Sequence, residues 1–265
     1  MMHAPEYGVL EPGVWLQEKW PLRFDWGLGG TRRAVGSGAL VIIVDVLSFS
    51  TAVAAAVSRG VSIYPAETTE QVEEIRATFG IERGYARSEA RKGQFTLSPS
   101  SYLEAHRVPA GVVLQSPNGA RCTRAAALAR AALVGGLVNA SATASAAQAL
   151  ANRDALPITV IACGERWRES SDGEGLRFAL EDLVGAGAIL SRLRGERSPE
   201  ARAAEEVYQA VRVRLAETLG ECGSGLELTQ AGYAKDWEVA CAEDSLNVAA
   251  RVIQYDGSVL ISRDA

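Results

Sequence analysis

Short uninterrupted runs of apolar residues alternate with helical stripes along most of this chain. The run at 41–44 does not alternate with polar residues, which predicts a strand buried on both faces of a sheet. The alanine-rich run at 52–57 follows it and predicts a helix packed close to that sheet. Similar apolar runs predict further strands at 61–64, 112–115, 133–138 and 158–162.

Apolar residues spaced three and four apart predict helices between these strands. Thr68 and Gln71 form a capping box, so a helix is predicted to begin at Thr68 and to end before Gly80. Late in the chain, Asp256-Gly257 between two apolar runs predicts a hairpin. Other helices are predicted near 99, from 120, over 142–151, over 176–193, from Ser198-Pro199 as the longest one, over 226–232 and from 235.

The order of these elements predicts the fold class. Strands that alternate with helices are typical of a parallel sheet covered on both faces. We therefore predict an α/β fold, a three-layer α/β/α arrangement with a mostly parallel sheet, whose repeated units could form two similar halves. It would be a single domain over residues 1–265, with 1–38 as an N-terminal edge strand and loop extension. The edge strand is predicted at 14–16 and the loop over the glycine-rich segment 21–38.

Composition and charge exclude several classes of function. The chain is 48% hydrophobic with a net charge of −5, and it has no basic stripe, so no nucleic-acid partner is expected. It has no apolar run of membrane-spanning length and no signal-peptide pattern, so we expect no membrane partner and a cytoplasmic location. A homodimer is possible in this setting. The two histidines, His3 and His106, leave little scope for Ser-His-Asp or histidine–zinc chemistry.

Asp45 is the first candidate functional residue, because it ends the first predicted strand. In open α/β sheets, ligands bind at the carboxyl ends of strands. The polar turn that follows contains Ser48, Ser50 and Thr51 and leads into a helix N-terminus, where backbone N–H groups can hold an anion. An acid suited to a hard cation thus lies beside a predicted anion cradle.

Later segments repeat this arrangement of polar residues at strand ends. Glu181 and Asp182 lie inside an apolar helical pattern, and adjacent helical residues point about 100° apart, so one of them can reach a site while the other pairs locally.

Cys163 could be a nucleophile, although no histidine lies beside it in the sequence. The remaining candidates are Ser98, which also suits a helix cap, the turn Ser116-Pro117-Asn118-Gly119, Asn139, Glu165 and Arg166.

Together these segments resemble the 2-phosphosulfolactate phosphatase family. The resemblance covers about residues 40 to 250 and consists of segments in the family's order: VIIVDVLSFST at 41–51, Ser98-Pro99, the turn 116–119, Asn139, and Phe178 to Asp182 with Gly185-Ala186-Gly187. It implies a magnesium-dependent enzyme of coenzyme M biosynthesis that converts 2-phospho-3-sulfolactate to 3-sulfolactate and phosphate.

Three positions depart from the family pattern. Ser48 stands where better-known members carry arginine in Asp-Val-Leu-Arg, Leu97 stands where asparagine is usual, and Gln115-Ser116 replaces a common Thr-Thr. These differences concern the substrate more than the fold.

The resemblance implies roles for the candidates. Mg²⁺ would be held by Asp45 with Glu181 or Asp182. Asp45, Glu181 and Arg166 would be catalytic, with Arg166, or an arginine within 83–91, neutralising the other acidic group of a small phosphorylated anionic substrate. The substrate-binding set would be Ser48, Ser50, Thr51, Ser98, Ser116, Asn118, Gly119, Asn139 and Glu165.

Two alternatives stay open from the sequence. The chain could be a non-catalytic binding protein for a phosphorylated metabolite, since it lacks arginine at position 48. It could also be a cysteine hydrolase that uses Cys163.

Overall fold

A nine-stranded sheet forms the centre of the computed structural model, which describes residues 14–167 and 175–263. The loop predicted around Ser170, Ser171 and Asp172 lies outside the described residues, as does His3. The sheet strands are β1 Leu22–Trp26, β2 Leu40–Val44, β3 Ser62–Ala66, β4 Glu82–Arg83, β5 Gly111–Gln115, β6 Ala132–Val134, β7 Ile158–Ala162, β10 Ala250–Tyr255 and β11 Ser258–Arg263. A separate pair consists of β8 Glu165–Arg166 and β9 Leu176–Arg177.

Helices connect these strands. They are α1 Gly27–Gly36, α2 Phe49–Ser58, α3 Thr69–Phe79, α4 Ser100–Leu103, α5 Gly119–Ala126, α6 Ala140–Asp154, α7 Leu180–Leu190, α8 Pro199–Val211, α9 Leu215–Glu221, α10 Gly223–Gln230 and α11 Ala234–Ala240. Short 3₁₀ turns lie at Leu137–Asn139 and Arg212–Arg214. Among the described residues, no helix is both long enough and apolar enough to cross a membrane.

The sheet consists of two parallel blocks joined by an antiparallel hairpin. Its strand order is β1-β7-β2-β6-β10-β11-β3-β5-β4. Pairs within β1-β7-β2-β6 and within β3-β5-β4 are parallel, whereas β6·β10, β10·β11 and β11·β3 are antiparallel. The predicted hairpin at Asp256-Gly257 is confirmed, and it connects the two blocks.

Strand β2 shows why helices cover both faces of the sheet. Leu40, Ile42 and Val44 pack in a core with residues of α6, α7 and α8. Val41 and Ile43 point to the other face and pack with residues of α1, α2 and α5. Since side chains alternate along a strand, an unbroken apolar run fills both cores. The predicted three-layer α/β/α class is confirmed.

The N-terminal segment differs from the prediction. Residues 15–19 form turns, and the predicted loop over 21–38 instead contains β1 and α1. The glycines serve close contacts here: Gly27 has φ 59° where the strand turns into the helix, and a Cβ on Gly30 would lie 2.8 Å from Asp25 Cγ. The glycines that suggested a loop thus permit a tight junction between strand and helix. Strand β1 lies at the edge of the sheet.

Three predicted boundaries also change. Residues 176–177 pair with β8 as a strand, so the helix predicted over 176–193 begins only at Leu180. The strand predicted over 133–138 ends at Val134 and gives way to a 3₁₀ turn. The helix capped by Ser198 has 13 residues, fewer than the 15 of α6, because its stripe continues through a turn into α9.

Close packing of α7 against α8 fixes the helix that carries the candidate acids. A Cβ on Gly187 would lie 2.1 Å from the carbonyl oxygen of Ala204 and 2.7 Å from Tyr208 Cβ. A Cβ on Gly185 would lie 2.5 Å from Val46 Cγ2. Glycine at both positions therefore brings α7 against α8 and against the carboxyl end of β2.

Candidate functional site

Asp45 lies directly after β2, where the strand meets the start of α2. Its side chain is buried, and its Oδ1 accepts a hydrogen bond from Phe49 N at 3.2 Å. Its backbone N–H donates to Ser50 Oγ at 2.9 Å. The strand end and the first turn of the helix together fix the carboxylate, so its position follows from local backbone structure.

The turn after β5 approaches Asp45 from the other parallel block. Gly119 N donates to Asp45 Oδ2 at 2.8 Å and to Ser116 Oγ at 3.1 Å. A Cβ on Gly119 would lie 2.4 Å from the Phe49 ring and 2.6 Å from Asp45 Oδ2, so only glycine allows this approach. The predicted proximity of Asp45 and the 116–119 turn is thereby observed, across 74 residues of sequence.

The two acids at the start of α7 have different environments, as their helical geometry predicts. Asp182 Oδ1 accepts from Val46 N at 2.7 Å, and its Oδ2 accepts from Gly164 N at 2.9 Å. Glu181 is equally buried and contacts the Cys222 thiol. Asp182 therefore ties two strand ends together, whereas the charge of Glu181 faces Asp45 and Glu165.

Glu165 completes an acidic cluster, defined here as Asp45, Glu165, Glu181 and Asp182. It follows β7, and its Oε2 accepts from Asn118 Nδ2 at 2.9 Å. This contact links the acid to the 116–119 turn. Asn118 thus orients one member of the cluster, while Gly119 orients another.

Burial and mutual repulsion favour the protonated forms of Asp45, Glu165 and Asp182. Desolvation, with a smaller contribution from Glu181, raises the pKa of Asp45 to about 6, although hydrogen bonds from Phe49 and Gly119 act against it. Desolvation and the charges of Asp45 and Glu181 raise the pKa of Glu165 to about 7. Burial also raises the pKa of Asp182 well above its ordinary value. The repulsion within the cluster is relieved either by protonation of these acids or by a positive partner.

The donor set of this cluster fits a hard cation. The described residues contain no group of three or more His, Cys, Asp or Glu side chains already arranged as metal ligands. Mg²⁺, however, is commonly held by one or two carboxylates, with waters and substrate phosphate as the other ligands. Each oxygen of Asp45 accepts one backbone N–H and keeps a lone pair for a metal. Asp45 and Glu165 also line a wide cleft, called the main cleft from here on.

A positive group lies beside the acidic cluster. Arg87, from the segment between β4 and α4, donates from Nη2 to Ser48 Oγ at 2.6 Å. Its Nε donates to Asp236 Oδ2 at 2.7 Å and to Ser98 Oγ at 3.1 Å. Arg87 counteracts the rise in the pKa of Asp45. Position 48 therefore does have an adjacent guanidinium, supplied from elsewhere in the chain.

Two members of the acidic cluster, Asp45 and Glu165, line a cleft of about 940 Å³ together with Arg87. Its walls come from β2, from the ends of β3 and β5, from the segment after β4, and from α10 and its exit. The predicted site residues that line it are Asp45, Ser48, Ser116, Asn118 and Glu165. The structure thus brings these five residues, distant in the sequence, to one cleft.

Arg166 and Cys163 lie at a second, smaller cavity of about 220 Å³, behind Asn118. Arg166 is exposed there, on β8, and does not line the main cleft. Cys163 is buried, and desolvation and its contact with Cys122 raise its pKa well above the ordinary value. Its thiol therefore stays protonated, the opposite of what a cysteine nucleophile requires.

Several predicted binding residues form internal hydrogen bonds instead. Thr51 Oγ1 donates to the Val46 carbonyl at 2.8 Å, and Ser50 accepts from Asp45 N. Asn139 is fully buried, accepting from Gly136 N and donating to the Val248 carbonyl. Ser98 donates to Asp236 at 2.8 Å, so it acts through that carboxylate. These residues stabilise the walls of the cleft.

Sequence reasoning missed Asp236 as part of the site. Asp236 was not among the residues singled out in the sequence, but it is only 3% exposed and bonds Arg87. Arg87 was considered only as one of several arginines within 83–91. No local pattern reports a contact between residues 149 positions apart. The spacing of Asp236 and Ala240, which puts the acid on the buried face of α11, was a signal that it has a partner inside the protein.

Comparisons with known proteins identify the family of this chain. The family model described as 2-phosphosulpholactate phosphatase matches residues 31–254, which include the whole acidic cluster and Arg87. A protein named probable 2-phosphosulfolactate phosphatase, from Carboxydothermus hydrogenoformans, is 26% identical over 227 residues, covering 83% of this chain and 89% of that protein. The chain therefore belongs to the 2-phosphosulfolactate phosphatase family, a family of phosphoric monoester hydrolases.

Proposed function

We propose that this protein is a magnesium-dependent phosphatase that hydrolyses 2-phospho-3-sulfolactate, or a similar small phosphorylated acid, to the free alcohol and phosphate. The observation that carries the proposal is the hydrogen bond between Asp45 and Gly119 at the cleft wall. It places a buried carboxylate against a turn rich in backbone N–H groups, within a member of a phosphatase family. Action on this substrate would give the protein a role in coenzyme M biosynthesis.

Asp45 and Glu181 would hold the magnesium ion, with Asp182 keeping the strand ends in register behind them. When bound, the ion screens the phosphate charge and favours attack on phosphorus. Asp45 is held by N–H groups from α2 and from the 116–119 turn. Its orientation is therefore set before substrate binds, which lowers the reorganisation needed for catalysis.

The 116–119 turn would hold the phosphate oxygens. Ser116 and Asn118 line the cleft, and α5 begins at Gly119. A helix N-terminus with small polar side chains favours an anion. Ser116 Oγ already accepts from Gly119 N, so its own O–H remains available as a donor to a phosphate oxygen.

Glu165 would supply the proton to the leaving alcohol. Its pKa of about 7 keeps a substantial protonated fraction at neutral pH. One of its oxygens accepts from Asn118, which leaves the other for the substrate. A cleft-lining carboxylic acid with a raised pKa is suited to general-acid catalysis.

The competing function is that of a binding protein for a phosphorylated metabolite. It would use the same turn and the same guanidinium without turnover. The absence of arginine at position 48 was the reason to consider a binding protein. Arg87 contacts Ser48, so a guanidinium is present beside this position and the reason no longer holds. Cysteine hydrolysis through Cys163 is disfavoured by the burial and raised pKa of the thiol.

Phosphate release from 2-phosphosulfolactate and a panel of small phosphoesters tests the proposal. We expect release with Mg²⁺ and none after chelation, restored by added Mg²⁺. A metal-independent rate would contradict the metal mechanism, and binding without release would favour the binding protein. Treatment with iodoacetamide should leave the rate unchanged, because alkylation requires an accessible thiolate.

A further inference from the structure

We propose that Cys122 and Cys163 form an oxidisable dithiol behind the main cleft, which a hydroperoxide converts to a disulfide that lowers turnover in the cleft. The proposed function uses neither thiol, so this modification site goes beyond it. Only the effect on turnover rests on the proposed function, because formation of the disulfide is measured on the protein itself.

The two cysteines come from different elements and meet in one core. Cys122 lies on α5, and Cys163 directly follows β7. Both belong to the core between the sheet and helices α1, α2 and α5, where they are 2% and 3% exposed. Their thiols are in hydrogen-bond contact, and all four cysteines of the chain are free. Two sulfurs already in contact need little backbone movement to form a bond.

The second cavity gives a small oxidant access to this dithiol. Both cysteines line it, together with glycines at the start of α1 and the exposed side chain of Arg166. Its volume of about 220 Å³ leaves room for hydrogen peroxide, since a single water takes only about 30 Å³. Iodoacetamide has to bring a larger group to a sulfur that exposes little area, so it should react far more slowly.

The contact makes the two thiols chemically unequal. Contact with Cys163 lowers the pKa of Cys122, assisted by Thr31 and Arg121 and opposed by burial and by Asp45. Burial raises the pKa of Cys163 well above its ordinary value, and the same contact adds to the rise. The thiolate is the nucleophilic form of cysteine. Cys122 is therefore the thiol that attacks the oxidant, and Cys163 is the thiol that resolves the product.

The oxidation takes two balanced steps. In the first, the Cys122 sulfur attacks one oxygen of hydrogen peroxide and the O–O bond breaks. Cys122 becomes a sulfenic acid, and the other oxygen leaves as water with the thiol proton. In the second, the Cys163 sulfur attacks the Cys122 sulfur, the S–O bond breaks, and water leaves with the proton of Cys163. Two thiols and one hydrogen peroxide thus give one disulfide and two waters, with two electrons passing from sulfur to oxygen.

Backbone hydrogen bonds connect the dithiol to the main cleft. Cys122 N donates to the Asn118 carbonyl at 3.0 Å, and Cys163 N donates to the Val44 carbonyl at 2.8 Å. Asn118 lines both cavities, and Val44 directly precedes Asp45. A covalent bond draws the sulfurs closer than contact distance, so it pulls the first turn of α5 towards the end of β7.

The turn before α5 has little room to follow such a pull. Gly119 N donates to Asp45 Oδ2 at 2.8 Å, and a Cβ on Gly119 would already lie 2.4 Å from the Phe49 ring. Asn118 Nδ2 donates to Glu165 at 2.9 Å. A displacement of about 1 Å can lower an enzymatic rate by about a hundredfold. We therefore expect the disulfide to lower turnover by about tenfold or more.

Mass spectrometry of the full-length protein after hydrogen peroxide tests the disulfide. With the remaining thiols blocked in denaturant, digestion without reduction should yield peptides linked through Cys122 and Cys163, which dithiothreitol separates. Cys241→Ser should form the same link and is the matched control, because Cys241 does not line the second cavity. Absence of the link in protein that still melts cooperatively, or equal yields of links through Cys222 or Cys241, would overturn the proposal.

Single substitutions test the unequal roles of the two thiols. In Cys163→Ser, no thiol resolves the product, so peroxide should leave oxygen on Cys122 as sulfenic or sulfinic acid. In Cys122→Ser, Cys163 should stay unmodified. Oxygen on Cys163 in Cys122→Ser, with none on Cys122 in Cys163→Ser, would overturn these roles. Alanine replaces serine in both variants if the buried hydroxyl lowers the melting temperature.

Phosphate release before and after oxidation tests the effect on the main cleft. Peroxide should lower the wild-type rate by about tenfold or more, and dithiothreitol should restore it. Cys122→Ala and Cys163→Ala should each lose this reversible response, whereas Cys241→Ser should keep it. Full turnover in fully linked protein would refute the effect on the cleft. No release by the reduced protein would reject the proposed function, and the linked peptides would still decide whether the dithiol exists.

Discussion

The acidic cluster and the Arg87–Asp236 pair lie on the same cleft but treat charge in opposite ways. In the cluster, like charges are crowded, and burial and repulsion raise the pKa of Asp45 and Glu165. In the pair, each charge has an opposite partner at 2.7 Å. The first arrangement leaves like charges without an opposite partner, whereas the second pairs its charges within the protein.

This difference separates a strained arrangement of charges from a supporting one. Backbone N–H groups hold the crowded acids in place at a cost in stability, which is the usual price of a preorganised site. A buried ion pair, by contrast, fixes geometry without requiring a ligand. Substitutions in the two regions should therefore differ in their effects on turnover, on stability and on the response to Mg²⁺.

The largest effect is expected from Asp45→Asn. Loss of the charge that holds the cation should lower turnover by about a hundredfold or more, or about 3 kcal/mol of transition-state stabilisation. The melting temperature should change little or rise, because relief of repulsion offsets a weakened 3.2 Å contact with Phe49 N. Mg²⁺ should no longer raise the melting temperature. Turnover and a magnesium-dependent shift that both match the wild type would identify Asp45 as a helix cap only.

Asp182→Ala should instead act on stability. It leaves Val46 N and Gly164 N buried without their acceptors, which costs about 3 kcal/mol and lowers the melting temperature by several degrees. Asp182→Asn retains one acceptor oxygen and should have about half the effect. Thermal unfolding in chelator measures both variants. If Asp182→Ala is as stable as the wild type, the carboxylate does not hold the strand ends together.

The crowding of acids in the cluster also predicts that the stability of the protein depends on pH. The folded pKa values of Asp45 and Glu165, about 6 and 7, lie above their ordinary values, so the folded state keeps protons that the unfolded chain has released. Stability in chelator should therefore fall by about 4 kcal/mol as the pH rises from about 5 to about 8. Mg²⁺ should remove much of this fall. The melting temperature measured across this pH range, with Asp45→Asn as the control, shows whether stability falls as the pH rises. A melting temperature that rises with pH in chelator would contradict the prediction.

The smallest effect is expected at the second cavity. Arg166→Ala should keep kcat/KM for 2-phosphosulfolactate within about twofold of the wild type, because the side chain is exposed and lies outside the main cleft. Steady-state kinetics beside Arg87→Ser give the measurement. A large loss in Arg166→Ala with little effect of Arg87→Ser would restore the role first assigned to Arg166 from the sequence.

The sequence predicted features that depend on neighbouring residues, but it did not predict contacts between residues far apart in the chain. The apolar run of β2 and the Asn-Gly turn after β5 follow local rules, so Asp45 and Gly119 could be assigned to strand ends and expected at one site. Strand β1 and helix α1 were missed because the glycines that follow β1 suggested a loop, whereas Gly30 packs against Asp25 within α1. The contacts of Arg87 with Ser48 and Asp236 join distant segments, and their formation depends on tertiary packing alone.

The central hairpin has a consequence for how the protein is made. Strands β10 and β11 emerge from the ribosome after every other described strand, yet they fill the gap between β6 and β3. Until they arrive, both parallel blocks present open edges, which are templates for pairing with other chains. A nascent chain stopped at residue 249 would hold two half-sheets and no continuous one. Completion of the sheet should therefore be a late step of folding, and the unfinished chain should be most prone to aggregation just before it.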